Sequence, residues 1–210
     1  MAEGIVLQLQ EEALDENVDI ETLLRKAYVV ARKLQLKDFE EWITNEQNGY
    51  QKDVPEYRMI GGEIKAWNPY HGWIPVIFDA KASDMFSRMP VKLPIAAISD
   101  VYNDSDGSVG FTVPGALTEF LNQSDSFFQT NYMFRSSKPE IRKIISAVRN
   151  RILDWSMMLE ENGIVGDGLH FTDAEKKTAR ESQVINNYTN NFYSSTDNTQ
   201  IQQGGDENQQ

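Results

Sequence analysis

An α+β domain is the fold that the sequence predicts. N-terminal helices and one long C-terminal helix pack with a small, mostly antiparallel sheet, and a disordered tail follows. Three observations predict it. Apolar residues recur at helical spacing over residues 5–48 and again over 141–159. Between them lie short apolar runs separated by Gly, Pro and Asn turn signals, the pattern of strands. From Gln183 onward Asn and Gln dominate, and Val, Ile, Tyr and Phe are too scattered to build a core. These shifts divide the chain into a globular domain over 1–181 and a tail over 182–210.

The elements follow in order. Ile5, Val6, Leu9 and Leu14 share roughly one face of a first helix. Asp19 is placed to cap a second, in which Leu23, Leu24, Ala27, Val30, Ala31 and Leu34 recur at spacings of three and four. A third turns Phe39, Trp42 and Ile43 inward and Glu40, Glu41 and Glu46 outward, and Asn48-Gly49 ends it. Tyr57–Trp67 and Trp73–Phe78 read as a β-hairpin joined through Asn68-Pro69-Tyr70-His71-Gly72. Gly61-Gly62 in its first strand marks a bulge or a close backbone approach. Ile95–Val101 is a short helix, Asn103–Gly107 a turn, Val109–Val113 a strand, Pro114–Leu121 a helix and Asn131–Arg135 a strand. Ser137 and Glu140 have the spacing of a capping box around Pro139. The helix they open carries Ile141, Ile144, Ile145, Val148, Ile152, Trp155 and Leu159 as one apolar stripe and stops at Asn162-Gly163. It is expected to pack on the N-terminal helices, with a polar helix over Thr172–Glu181 behind it.

Composition narrows the function. A chain of 210 residues supports one core, or at most two small ones. A formal net charge of -12 argues against nucleic acid as the main partner, because phosphate contacts need Lys and Arg. It leaves room for a local basic patch of Arg142, Lys143, Arg149 and Arg151. The lack of cysteine removes disulfides, thiolate chemistry and Cys-based zinc sites, and it fits the cytoplasm. Met1-Ala2-Glu3-Gly4 is not the start of a signal peptide, and no apolar stretch approaches the roughly 18 residues that span a bilayer. A cytoplasmic protein without a membrane partner is expected.

The search for chemistry returns no active site. His71 lies in an aromatic turn between Trp67 and Trp73, where rings pin a hairpin to its domain. His170 sits in a Gly-rich connector, and no His-x-x-x-His pair is present for zinc. Gly163, Gly166 and Gly168 follow a helix rather than joining a strand to one, so they are a linker and not a phosphate loop. The carboxylate pairs Glu11-Glu12, Glu40-Glu41 and Glu160-Glu161 lie on helix surfaces. No catalytic residue, cofactor or metal is therefore expected. One polar set stands out on the long helix: Arg149 and Arg151, with Asp154 three residues beyond and able to pair with the latter. It forms a candidate interaction face.

Three blocks of the sequence resemble the AbiTii domain family. They are Leu23–Leu34 with Phe39–Ile43 and Asn45–Tyr50, then Pro55–Arg58 through Gly72–Val76, then Ala147–Trp155 through Leu159–Ile164. The resemblance covers roughly residues 5–180 and implies a role in bacterial abortive-infection defence against phage. It carries over no catalytic residue. In the tail, Thr199-Gln200-Ile201-Gln202-Gln203-Gly204 is similar to the core of the RIP homotypic interaction motif. Ile201, Gln202 and Gly204 match, while Gln203 stands where that motif has an apolar residue. The resemblance implies stacking into a cross-β filament, in which Gln and Asn ladders bond along the stack and Ile fills the dry interface. Together these imply a non-enzymatic adaptor or sensor whose partners are second copies or a defence effector with a similar tail. The alternatives are a toxic effector and a toxin-neutralising partner acting through the folded domain.

Overall fold

A computed structural model describes residues 4–124 and 129–182, together with Ile185 and Tyr188. The tail motif at 200–204 lies outside the described residues, as does most of the tail expected to be disordered.

Four helices build one layer. They are α1 (Ile5–Leu14), α2 (Ile20–Leu34), α3 (Lys37–Asn48) and the long α7 (Lys138–Glu161), with α4 to α6 between them in the chain. The stripe expected on α7 is buried at Ile141, Ile144, Val148, Ile152, Trp155 and Leu159. It packs on α1 and α2, and the Trp155 ring stacks on Phe39 of α3 at 3.9 Å. Truncating a ring in such a core to alanine costs about 3–5 kcal/mol. The Asp19 carboxylate caps α2 by accepting from the Thr22 N–H at 2.9 Å. Gly49 (φ 86°) and Gly163 (φ 73°) end α3 and α7 in a conformation that glycine adopts freely.

The second layer is an antiparallel sheet in the order β2 (Gly72–Pro75), β1 (Met59–Asn68), β5 (Tyr132–Ser137), β4 (Ser108–Thr112). A three-residue strand, β3 (Arg88–Pro90), pairs with the first residues of β1. It lies on the same edge of β1 as β2, since Gly62 N–H bonds Ser87 and Ile64 C=O bonds Val76. Ile60, Ile64, Phe134 and Val109 point to one face and are buried there. The close approach read from the double glycine is present: a Cβ on Gly62 would stand 2.5 Å from the Arg135 carbonyl. The remaining helices are α4 (Ala80–Met85), α5 (Ile95–Asp104), α6 (Gly115–Ser124) and α8 (Asp173–Glu181).

Several local expectations are corrected. Leu14 is 69% exposed, and Ala13 takes the inward position. Glu46, expected outward, is fully buried. Glu56–Arg58 form a 3-10 turn before β1, so the strand starts later than Tyr57. Helix α4 and strand β3 were not anticipated, because α4 buries nothing and β3 is too short to show an alternation. Ser137 closes β5 and makes no side-chain cap bond, and Glu140 reaches across to Gly61 instead. The capping box occurs on α8, where Thr172 and Glu175 bond each other's backbone N–H. Packing also continues past residue 181: Ile185 is helical and fully buried, and Tyr188 is helical and half-buried.

Candidate functional site

Helix α7 places its polar residues on two opposite sides. At 100° per residue, Glu140, Lys143, Ala147, Arg151 and Asp154 fall within one strip about 80° wide, and Arg149 lies about 160° from Arg151. The structure therefore separates the arginines that the sequence set together.

Arg149 closes the junction between α1 and α2. Its guanidinium donates to the carbonyls of Glu12 (3.1 Å), Asp15 (2.9 Å) and Val18 (2.6 Å). The last turn of a helix leaves carbonyls without partners, and a cation there satisfies them. Burial holds the Arg149 pKa below its ordinary value, against the pull of Glu16, Asp15 and Asp19. Its position is that of a clamp. The small basic patch does not assemble: Arg142 pairs with Glu16, Lys143 with Glu140, and Arg151 covers a tyrosine ring.

On the other side, the Arg151 guanidinium stacks on the Tyr57 ring, 3.9 Å from its centroid. The Tyr188 hydroxyl lies 3.2 Å from the Arg151 carbonyl and 3.4 Å from a carboxylate oxygen of Asp154. Burial raises the pKa of this phenol, and Asp154 adds to the effect, so the tyrosine stays a neutral donor. Arg151 and Asp154 are thus brought to one corner, where they receive Tyr188.

Toward the start of α7 the same strip walls an open groove of about 730 Å³. Tyr57, Gly61, Gly62 and Arg88 face Glu140, Lys143 and Ala147 across it. Gly61 N–H donates to Glu140 at 3.0 Å. The Lys143 and Gly61 bonds hold the Glu140 carboxyl below its usual range.

Behind Tyr57 lies a polar cluster that sequence reasoning missed. Glu46 and Arg58 form an ion pair at 2.5 Å with both side chains fully buried. Glu46 also accepts from the hydroxyls of Tyr50 (2.7 Å) and Tyr57 (2.5 Å), and Trp42 donates to Tyr57 at 2.8 Å. Arg58 reaches the carbonyls of Val91 (3.1 Å) and Leu93 (2.6 Å) and lies 4.8 Å from the Tyr50 ring centroid. Burial opposes the Arg58 charge, and Glu46 outweighs it and raises the pKa. Both phenols are raised, first by burial and then by Glu46. The signal was present in the spacing. Phe39, Trp42, Ile43 and Glu46 stand at i, i+3, i+4 and i+7, one face of one helix.

His71 and His170 lie apart, in the β1–β2 turn and in the connector before α8. Among the described residues no group of three or more His, Asp or Glu is placed to hold a metal ion. Among the same residues no helix is long and apolar enough to cross a membrane.

The architecture is that of a two-layer α+β domain whose long helix both organises the core and seats Tyr188. A family model for AbiTii matches residues 4–184, and the chain belongs to the AbiTii family. The family places it in bacterial abortive-infection defence against phage. No curated protein and no solved structure matches the chain. Tyr188 lies beyond the span that the family model covers.

Proposed function

We propose that this chain is a non-enzymatic adaptor or sensor of abortive infection, acting in the cytoplasm. Its folded domain recognises a sign of infection, and its tail then assembles with second copies or with an effector bearing a similar segment. The seating of Tyr188 on the Arg151–Asp154 corner carries the reading. It couples the root of the tail to the helix that organises the core, so a change in the domain can be passed to the tail. The placement of Arg149 supports it as well, since three backbone carbonyls occupy a side chain that was a first suspect for an effector activity. Within the tail, Gln200, Ile201, Gln202, Gln203 and Gly204 are the residues that would stack.

Phage plating on bacteria expressing three forms tests the proposal: the intact chain, a chain truncated after Tyr188, and Ile201→Lys. The lysine repeats a charge at every layer of a stack. Protection by the intact chain alone, at equal expression, is the expected result. Equal protection by all three forms would overturn it and return the function to the folded domain.

A further inference from the structure

We infer that the solvent face of the sheet is the contact surface for a second copy of this chain, met face to face across a two-fold axis along the seam between β1 and β5. Successive side chains of a strand point to opposite faces. Ile60, Ile64, Phe134 and Val109 take the buried face. The residues between them, Glu63, Lys65 and Trp67 on β1 with Met133 and Arg135 on β5, take the other. Trp73 stands beside Trp67 on β2, and the two rings meet edge to face at 5.3 Å. Trp67 is 44% exposed and Trp73 36%. Two tryptophans left in water on one sheet face mark an interaction surface.

Charge selects the occupant. Each chain carries -12, so two copies repel except where a surface offers both signs. This face does, and Glu63 and Arg135 are exposed cross-strand partners at its centre. A two-fold contact sets residue i against j and j against i. Rotation about the β1–β5 seam exchanges cross-strand partners, so Glu63 of each copy meets Arg135 of the other. The pair forms twice. Glu63 keeps Lys65 of its own strand at 3.0 Å. Arg135 donates through Nε to the Ser108 hydroxyl at 3.0 Å, which leaves its two terminal nitrogens for the carboxylate.

Shape agrees with the same axis, which lays β2 of each copy over β4 of the other. Pro75, Lys65, Met133 and Thr112 stand at one level of the ladder. Val76 N–H still bonds Ile64, so Ile77 follows at the level of Glu63, Arg135 and Gly110. Ile77 is 95% exposed. Across the axis it meets Gly110, which has no side chain, and the Met133 methyl that lies where a Cβ on Gly110 would be. The bulky half of the face, Trp73, Pro75 and Ile77, is thus set against the small half, Ser108, Gly110 and Thr112. Aligned sheets pack about 10 Å apart, a gap that Glu and Arg side chains span together. On the adaptor reading, which gives this contact its role in defence, the dimer brings two tails together before any stack has formed.

Sedimentation equilibrium of the full chain tests the contact. It is run on the parent and on Ile201→Lys, which separates tail stacking from the sheet face. Expected is a dimer, twice the 24.0 kDa of one chain, in both. Glu63→Arg and Arg135→Glu should each raise the dimer Kd about tenfold or more. An equimolar mixture of these two variants should recover the dimer, because each arginine then faces a glutamate of the other chain. Mixing cannot repair a change inside one fold, so recovery reads the interface itself. A parent that stays a monomer at about 100 μM would overturn the inference. So would a dimer lost in Ile201→Lys, single variants as tight as the parent, or a mixture no tighter than its parts. Plating separates this from the adaptor reading. A monomer with tail-dependent protection removes the dimer alone, and a sheet-face dimer with tail-independent protection removes the adaptor reading alone.

Discussion

Tyr57 joins two polar clusters. Its hydroxyl belongs to the buried group of Glu46, Tyr50 and Arg58, and its ring face belongs to the surface corner of Arg151, Asp154 and Tyr188. Both clusters contain an acid, an arginine and a tyrosine. In the first, every charge is removed from water, and each is satisfied by two or more fixed partners. In the second, solvent reaches the acid and a single tyrosine from the leaving chain completes the set. Removal from water makes the first cluster part of the fold, because an unpaired buried charge costs several kcal/mol. Partial exposure makes the second cheaper to open than the first.

Glu46→Gln is the sharpest way to break the comparison. It leaves the buried Arg58 charge uncompensated and should destabilise the domain by about 3–5 kcal/mol in urea unfolding. Replacing both charges, as Glu46→Met with Arg58→Met, should recover only part of the loss. The hydroxyls of Tyr50 and Tyr57 would lose the carboxylate they donate to, and the Leu93 carbonyl would lose its guanidinium donor. A single variant within about 0.5 kcal/mol of the parent would mean that water reaches the cluster.

Arg149 and Arg151 give the next largest contrast. Arg149→Ala frees the carbonyls of Glu12, Asp15 and Val18 and should cost about 2 kcal/mol, since bonds from a charged donor are worth about 1.5–3 kcal/mol. Arg151→Ala loses the contact with the Tyr57 ring, worth about 1 kcal/mol. Equal losses in urea unfolding would contradict the division of α7 into a side that clamps the α1–α2 junction and a side that seats Tyr188.

How much of this was legible in sequence differs between the layers. In the helical layer α2 and α7 could be read almost residue by residue, because their stripes repeat at the helix period over three or more turns. The sheet could be read only where turn signals bounded a run, as at Asn68–Gly72. Three-residue β3 has no period to detect, and its place is set by bonds to Met59–Gly61 that are remote in sequence. Glu46 was legible by spacing and misread by residue type, because a glutamate was assigned to water before its partner Arg58 was known. Arg149, Arg151 and Asp154 were read as one face, but Arg149 and Arg151, two apart on a helix, face apart. Tyr188 was hidden by the composition of the tail around it.

Tyr188→Phe should produce a smaller and more local effect. The phenol hydroxyl bonds a half-exposed corner, so its loss should cost about 0.5–1.5 kcal/mol. Global unfolding should barely move, while amide exchange at Ile185 and Tyr188 should accelerate several-fold, the signature of local opening. Asp154→Asn should act through the same contact, so the double variant should add little to either single change. Additive effects would show that the corner is not a unit.

The smallest effect expected concerns acid. The Glu175 carboxylate joins α8 to its connector by accepting from the N–H groups of Val165, Gly166 and Thr172. Burial raises its pKa, and these N–H donors with the Thr172 hydroxyl outweigh that and lower it. A carboxyl whose pKa is lower folded than unfolded stabilises the fold above the unfolded value, about 4.3, and the contribution is lost as pH falls through the folded value. Glu175→Gln should therefore flatten the fall in stability below about pH 4.3, measured as urea midpoints from pH 6 to 3. An unchanged acid limb would mean that the carboxylate is no better bonded in the fold than in the open chain. Helix α8 would then be held by the burial of Ala179 and the bond from Arg180 to Gln35, and the root of the tail by Ser182, Ile185 and Tyr188.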